Sequence, residues 1–267
     1  NVEGRDFDII LNGHLDVIEG EDSQFDPYIE EDKLFGRGSM DMKGGVACLM
    51  HAMKNFASQS GKRICLLLTC DEEIGGFNGA KPMVDQEGYR GKIVIVPEGG
   101  STLKLVIKEK GVVFLRLKAK GKLAHGAYPW KGVNALEKII RAYLNLRNEI
   151  PEHQAEWKTN FTLSKINTPE KPINQVPESA EAVFDIRYTE KFGRTAEEVQ
   201  NKIIKIVGNE AKCEFIETEP ILLSDEKNSE IERFQKCMNE SFGGEVPLAF
   251  GHGASDARFF SEKGMPV

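Results

Sequence analysis

Three short apolar runs in the first hundred residues each end directly in acidic or imidazole side chains. The runs 7–11, 64–68 and 93–96 are almost entirely apolar, and segments with helical periodicity, such as 43–57, lie between them. Strands of this kind are buried on both faces, which is typical of a sheet covered by helices on both sides. The sequence therefore predicts an α/β domain with a ligand site at the carboxyl ends of its strands.

The side chains that follow these runs are ones that bind divalent metals. In chain order these candidates are His14, Asp16, Glu72, Glu73 and Glu98, and Asp41, just before the helical segment 43–57, is a further one. Zinc accepts mixed imidazole and carboxylate ligands, and catalytic zinc leaves one position open for water. Several carboxylates at one sheet edge repel one another unless a cation lies between them, and with two metals one carboxylate can bridge. Each residue alone has an ordinary interpretation, such as Asp41 as a helix cap, but their joint occurrence at strand ends favours a metal site.

The chain changes character near residue 103. An alternating run at 112–119 predicts a half-exposed strand, and an amphipathic helix follows at 134–149. Two more strands, a second helix and a last short strand complete the order β-α-β-β-α-β, which is typical of a ferredoxin-like domain. We therefore predict an α/β catalytic domain formed by residues 1–102 and 218–267, interrupted by an inserted domain at 103–217.

Composition excludes some partners and indicates a compartment. The net charge is −7, which disfavours nucleic-acid binding because that requires a basic surface. No apolar run approaches the ~20 residues that span a bilayer, so no membrane association is expected. Five cysteines without a dense framework indicate unpaired thiols and a cytoplasmic protein. The chain begins with Asn and ends in a strand-like Met-Pro-Val, so we expect a fragment of a longer protein.

Three ordered motifs resemble the signatures of a known family. They are Gly-His14-Leu-Asp16-Val, Leu34-Phe-Gly-Arg-Gly-Ser-Met-Asp41-Met-Lys-Gly-Gly45 and Thr69-Cys-Asp-Glu72-Glu73. The family is that of the zinc aminoacylases and carboxypeptidases, with acetylornithine deacetylase, succinyl-diaminopimelate desuccinylase, aminoacylase and glutamate carboxypeptidase as members. The resemblance covers essentially the whole chain. It implies a zinc-exopeptidase-like catalytic domain, an inserted lid and dimerisation domain, and a homodimer.

The resemblance also implies a set of metal ligands. Two zinc ions are expected, for which cobalt or manganese can substitute. His14, Asp41 and Glu98 would hold the first zinc ion, and the bridging Asp41 together with Glu73 would hold the second. In the family one further His binds the second zinc ion downstream of the Ser-Asp-x-Arg segment, and this chain ends before it.

Catalytic roles follow from the same resemblance. Asp16 would orient His14, and Glu72 would be the general base that activates the metal-bound water. The segment Gly121-Lys-Leu-Ala-His125-Gly-Ala-Tyr-Pro resembles the one whose His reaches the active site of a partner subunit and stabilises the oxyanion. Considered by itself, this segment favours an ordinary turn histidine.

The resemblance also implies that one asparagine and two arginines contact the substrate. Asn174 and Arg187 resemble lid residues that contact the substrate, and Arg258, in Ser255-Asp256-Ala-Arg258, could clamp a substrate carboxylate in a bidentate manner. Arg187 could equally lie on the solvent face of its strand, and Arg258 could pair with Asp256. We expect cleavage of the amide bond in a small N-acyl amino acid, of the deacetylase or desuccinylase type.

Other functions stay open at this point. A dipeptidase or carboxypeptidase of the same family is one, and a catalytically decayed homologue kept for peptide binding or dimerisation is another. A cysteine hydrolase with Cys70 as nucleophile is disfavoured, because neighbouring carboxylates disfavour the anionic thiolate that would be the nucleophile. The acyl group is not distinguished, because it depends on the shape of a pocket formed by loops.

Overall fold

The computed structural model describes residues 4–98, 102–169 and 172–267. The chain forms two compact units. The first unit comprises residues 1–109 and 222–267, and the second comprises residues 110–221.

Both units combine strands and helices. The strands, in chain order, are β1 (Asp6–His14), β2 (Tyr28–Glu30), β3 (Lys33–Phe35), β4 (Ile64–Thr69), β5 (Arg90–Ile95), β6 (Leu105–Glu109), β7 (Gly111–Lys120), β8 (Ala124–His125), β9 (Asn160–Asn167), β10 (Gln175–Val176), β11 (Ser179–Tyr188), β12 (Lys212–Glu219), β13 (Leu222–Leu223) and β14 (Leu248–Gly251). The helices are α1 (Gly44–Phe56), α2 (Ala80–Asp85), α3 (Ala135–Glu149), α4 (Ala196–Val207), α5 (Ser229–Phe242) and α6 (Ala257–Glu262). Among the described residues, none of these helices has the length and hydropathy that crossing a membrane requires.

The first unit is built on a parallel three-stranded sheet. Strand β1 lies between β4 and β5 and pairs with both in parallel. Ile10, Leu67 and Val94 from these strands share one core with Phe259 and Phe260 of α6. The apolar runs therefore form buried parallel strands, and the predicted α/β architecture is confirmed.

The segment that follows residue 102 belongs to this first unit. The sequence placed the boundaries at 102/103 and 217/218, whereas the chain passes from one unit to the other at 109/110 and 221/222. The reason lies in backbone pairing: β6 pairs in parallel with β14 and antiparallel with β13, and both partners lie far along the chain. Local periodicity does not contain this information.

The second unit is an antiparallel four-stranded sheet in the order β12-β7-β11-β9, with α3 and α4 packed on its buried face. In β7, Leu115 and Leu117 are buried, whereas Arg116 and Lys118 are half-exposed and bond to Glu214 of β12. This alternation, and the element order β-α-β-β-α-β, confirm the predicted ferredoxin-like fold of this part of the chain.

Side-chain caps set where three helices begin. Asn134, Thr195 and Asn228 each accept a hydrogen bond from a backbone N–H in the first turn of α3, α4 and α5, respectively. Helix α5 ends at Gly243, whose φ of +68° is readily adopted only by glycine. Local sequence therefore determines these helix boundaries.

We expect Phe184 to be a main contributor to the stability of the second unit. It is fully buried, and its ring packs edge-on against Phe161 with the centroids 5.8 Å apart. Phe184→Ala should lower the free energy of unfolding by about 3–5 kcal/mol, because it removes these contacts and leaves a cavity. Glu181→Ala, at an exposed position of the same strand, should change it by less than about 0.5 kcal/mol. Urea denaturation checks both, and equal losses in the two variants would contradict the packing.

Candidate metal centre

Parallel pairing brings the predicted ligands to one edge of the sheet in the first unit. His14 is the last residue of β1, and its partner in β4 is Thr69, the last residue of that strand. A single turn at Glu72–Ile74 follows β4, and Glu98 follows the end of β5. The carboxyl ends of the three strands therefore present their side chains to a common space, as expected for open α/β sheets.

The geometry groups these side chains into two sets that share His14. Ligand atoms of His14, Glu72 and Glu98 lie within 4.8 Å of one another, and so do those of His14, Asp41 and Glu73. The Nε2 atom of His14 is 3.0 Å from Asp41 Oδ1 and 3.9 Å from Glu72 Oε2. The structure thus brings the predicted ligands together, although Glu98 falls in the set of Glu72 rather than in that of Asp41.

Asp16 lies against the other side of the imidazole ring. His14 Nδ1 is 3.1 Å from the Asp16 carbonyl oxygen and 3.3 Å from its Oδ1. The second carboxylate oxygen of Asp16 accepts a hydrogen bond from the backbone N–H of Glu73, at 3.0 Å. Asp16 therefore connects the β1 end to the turn that carries the paired glutamates, and it fixes which ring nitrogen faces the other carboxylates.

Asp41 occupies an irregular turn, Ser39–Lys43, directly before α1. The glycine pair at the start of α1 has a packing role: a Cβ atom on Gly45 would lie 2.4 Å from the carbonyl oxygen of Pro97. Only glycine allows α1 to approach so closely the segment that leads to Glu98. Gly45 of the second motif therefore contributes to the candidate metal centre through close backbone packing.

Asp71 has a supporting role that the sequence did not assign. It is buried, and its Oδ2 accepts hydrogen bonds from the backbone N–H groups of Asn78 and Gly79, at 2.7 and 3.0 Å. These bonds close the loop that follows Glu72 and Glu73. The available signal was an aspartate placed just before a glycine-rich stretch, where Asp commonly binds backbone N–H groups.

The electrostatics of the cluster favour a bound cation. Burial, followed by repulsion from Glu72, raises the pKa of Glu98 to about 9. By accessible surface Glu98 is an exposed residue, but its carboxylate end lies among the other acidic groups: an oxygen of Glu98 is within 4.8 Å of one on Glu72, so the repulsion acts at short range. Burial and the charge of Asp256 raise the pKa of Glu72 to about 7. Burial lowers the pKa of His14, but the charge of Glu72 and the Asp16 carbonyl outweigh this effect and raise it.

These residues fit a divalent metal. Imidazole nitrogen and carboxylate oxygens are accepted by zinc, and a cation between the carboxylates would convert their repulsion into attraction. The residues that could hold it are His14, Asp41, Glu73 and Glu98, with Glu72 beside them.

Two of the remaining predicted residues lie together in the second unit. His125 ends β8, is exposed, and accepts a hydrogen bond from the backbone N–H of Ala127 through Nδ1. Asn174 lies beside it, because its carbonyl oxygen accepts a hydrogen bond from Gly126 N at 2.6 Å. The β8–β10 ladder thus joins the two segments that the resemblance singled out.

The two predicted substrate arginines have protein partners. Arg187 lies on β11 and forms a two-pronged pair with Asp185 of the same strand, at 2.7 and 3.0 Å. Arg258 is only 2% exposed and donates to the carbonyl oxygen of Gly75 at 2.9 Å.

Imidazole and carboxylate ligands at the strand ends of an α/β unit, with a further carboxylate beside them, are typical of metal-dependent hydrolases. The chain belongs to peptidase family M20/M25/M40, whose family model matches residues 10–267. The family inferred from the three sequence motifs is therefore confirmed.

Two curated relatives carry the same name. Succinyl-diaminopimelate desuccinylase of Erythrobacter litoralis is 31% identical over 191 residues, which covers 67% of this chain and 50% of that protein. The enzyme of the same name from Rickettsia bellii is 27% identical over 277 residues, covering 94% of this chain and 70% of that protein. The chain thus spans half of the first relative and more than two thirds of the second.

Solved structures with the same fold are named as peptidases. Aminopeptidase PepT of Bacillus cereus aligns with a TM-score of 0.75 and 20% identity, covering 97% of this chain and 70% of that one. A tripeptidase of Staphylococcus aureus aligns with a TM-score of 0.74 and 17% identity, covering 100% of this chain and 72% of that one. At this level of identity the likeness shows the fold alone.

The crowded carboxylates predict how the stability of the metal-free protein depends on pH. The pKa values of Glu98 and Glu72 are about 9 and 7 in the folded chain, compared with ~4.3 for an unperturbed glutamate. The folded state therefore binds more protons than the unfolded state, and stability is lost as the pH rises from about 5 through 9. Melting temperatures measured in chelator should fall over this range, and added zinc should reduce the fall.

Glu98→Gln should flatten the same profile, because it removes one of the repelling charges. Glu226→Gln, at an exposed position, should keep the slope of the unmodified protein. A melting temperature that rises with pH in chelator would contradict repulsion among these carboxylates.

Proposed function

We propose that the protein cleaves the amide bond of an N-acyl amino acid, of the deacetylase or desuccinylase type, with a metal-activated water. The observation that carries this proposal is the convergence of His14, Asp41, Glu72, Glu73 and Glu98 at one edge of the parallel sheet. Membership of peptidase family M20/M25/M40 and the names of the curated relatives support the same reaction class.

The proposed ligands are those of the sequence prediction. His14, Asp41 and Glu98 would hold one zinc ion, and Asp41 with Glu73 would contribute to holding a second. When bound, the metal supplies Lewis-acid chemistry, because it acidifies a coordinated water and polarises the amide carbonyl. Asp16 keeps Nδ1 of His14 occupied, at 3.1–3.3 Å, so that Nε2 faces the other ligands.

Glu72 is the proposed general base. Its side chain is 10% exposed and lies next to His14, so it is near the metal site and largely shielded from bulk water. A carboxylate oxygen of Glu72 accepts the proton of the attacking water and later delivers it to the leaving amine nitrogen. In the metal-free protein its pKa of about 7 lies near neutral pH, the range in which an acid–base catalyst works best.

The second unit is the proposed lid and dimerisation domain. His125 would stabilise the oxyanion in the active site of a partner subunit, and Asn174 and Arg187 would contact the substrate. The adjacency of His125 and Asn174 supports a shared task for these two. All five cysteines are free thiols, which supports a cytoplasmic location.

A peptidase is the second candidate. The same metal chemistry cleaves a peptide bond, and two solved structures with this fold are named as an aminopeptidase and a tripeptidase. Substrate tests therefore have to include short peptides.

The first test is hydrolysis of a substrate panel with added zinc and with chelator. The panel contains N-acetyl amino acids, N-succinyl-diaminopimelate, dipeptides and tripeptides. We expect chelator-sensitive turnover of an N-acyl amino acid, because the ligands require a cation to work together. Turnover of peptides alone would establish the second candidate, and zinc binding without any turnover would contradict both.

Glu72→Gln should abolish most of the turnover while zinc remains bound. The amide keeps the shape of the side chain but cannot accept the proton of the water, so kcat should fall by about 10²–10⁴-fold. Zinc content measured by atomic emission should stay at the level of the unmodified protein, as should the kcat of the exposed-site control Glu226→Gln. Near-normal turnover of Glu72→Gln would remove Glu72 from the mechanism.

Mixing two inactive variants tests whether His125 acts across subunits. In a mixed dimer of Glu72→Gln and His125→Ala, one of the two sites receives both an intact Glu72 and the partner's intact His125. Random exchange of subunits should therefore restore about a quarter of the original activity. No recovery above the separate variants, although mixed dimers form, would place His125 outside the partner's site.

A further inference from the structure

The first turn of α6 holds the loop that carries the paired glutamates. Arg258 lies in this turn with 2% of its surface exposed, and its guanidinium carbon lies 4.4 Å from the centroid of the Phe259 ring. Its Nη2 donates a hydrogen bond of 2.9 Å to the carbonyl oxygen of Gly75. Gly75 ends the turn that contains Glu72 and Glu73, in a left-handed conformation with φ of +103°. The guanidinium group thus binds the backbone directly behind these two glutamates.

Asp256 contacts the same loop at two other points. Its Oδ2 accepts a hydrogen bond from the hydroxyl group of Thr69 at 3.1 Å, where β4 ends and the loop begins. Its Oδ1 lies against Gly76 so closely that a Cβ atom there would be 2.0 Å away. Asp256 is 2% exposed, so its hydrogen bond with Thr69 is shielded from water and correspondingly strong, while its contact with Gly76 is one of close packing.

The start of α6 is itself anchored. The backbone N–H and the hydroxyl group of Ser255 both donate to Glu109 Oε2, at 3.0 and 2.7 Å. Phe77 of the loop packs edge-on against Phe259, with the centroids 6.0 Å apart. A continuous set of contacts therefore runs from β6 through the first turn of α6 to the loop 70–79.

The burial of Arg258 argues against a direct contact with substrate. A residue that clamps the carboxylate of an incoming ligand has to present its guanidinium group to solvent before the ligand binds. Arg258 instead has only 2% of its surface exposed, and one of its N–H groups donates to a backbone carbonyl oxygen of its own chain. Asp256 of the same turn supplies a negative charge nearby, which a buried cation requires.

We propose that Arg258 and Asp256 are positioning residues for the loop 70–79, and that Arg258 acts on catalysis through Gly75 rather than by contact with the substrate. The expected effect on turnover rests on the function proposed above, whereas the expected effect on the loop does not.

Hydrogen exchange followed by mass spectrometry tests the loop without any turnover. Arg258→Met should speed exchange of the backbone amides in 71–78 by about tenfold, because the carbonyl of Gly75 loses its donor. Arg90→Met is the matched control, since Arg90 donates in the same way to the carbonyl oxygens of Val84 and Tyr89 in the same unit, at 2.8 Å. It should speed exchange around 84–90 and leave 71–78 unchanged.

The kinetic readout separates positioning from substrate binding. A misplaced Glu72 should lower kcat of Arg258→Met by about 10–100-fold with KM within about threefold, because binding is retained while the reacting geometry is lost. A KM that rises with unchanged kcat, together with unchanged exchange in 71–78, would overturn the proposal in favour of a substrate clamp.

A milder pair of variants decides the question if Arg258→Met does not fold. Thr69→Val keeps the shape of the side chain but loses the hydroxyl group that Asp256 binds, whereas Thr69→Ser keeps it. Faster exchange in 71–78 for Thr69→Val, reversed in Thr69→Ser, supports the proposal, and identical exchange in both overturns it. If the unmodified protein hydrolyses no substrate, the proposed function fails while the exchange experiment still tests the loop.

Discussion

The first unit gathers several carboxylates at one edge of a parallel sheet, and their mutual repulsion is the constraint that its structure has to accommodate. Three parallel strands end side by side, and the loops that follow them carry Glu72, Glu73 and Glu98 toward His14. Burial and mutual repulsion raise the pKa values of these carboxyl groups. A bound cation removes this repulsion. The arrangement therefore suits a metal-dependent hydrolase, and without a cation it would be unfavourable.

The surrounding structure serves to hold these groups in place. Asp16 and Asp71 bind backbone N–H groups of the loop behind the glutamates, and Asp256 and Arg258 hold it from the side of α6. Each of these side chains is at least partly buried, so its hydrogen bonds are protected from competition with water. The candidate metal centre is therefore held in place by side chains that are as polar as its own. The second unit is different in kind, because its core is an ordinary apolar layer between a sheet and two helices. Two of its candidate residues, the exposed His125 and Asn174, lie at a short two-stranded ladder, and Arg187 lies on β11.

Much of the fold and of the ligand set could be predicted from local patterns. Apolar runs indicated the strands, alternation in 112–119 indicated a half-exposed strand, and three motifs identified the family. Where strands pair in parallel, the residues after them must share one edge, so the convergence of His14 with the glutamates followed from sequence order. Predictions that depended on a distant partner were less complete. The predicted domain boundary was drawn without the pairing of β6 with β14. The hydrogen bonds by which Asp71 closes the loop after Glu73 were not predicted either.

The sequence by itself therefore determined which residue types stand at the strand ends, because strand length and helix starts depend on neighbouring residues. Only the tertiary structure decided what each polar group touches. Arg258 is the clearest case: its motif was compatible with a substrate clamp or with pairing to Asp256, and the packing of α6 buries its guanidinium group against the Gly75 carbonyl, with the charge of Asp256 nearby. The partner of a long side chain depends on which distant backbone lies within a few ångströms of it, and local sequence does not contain that distance.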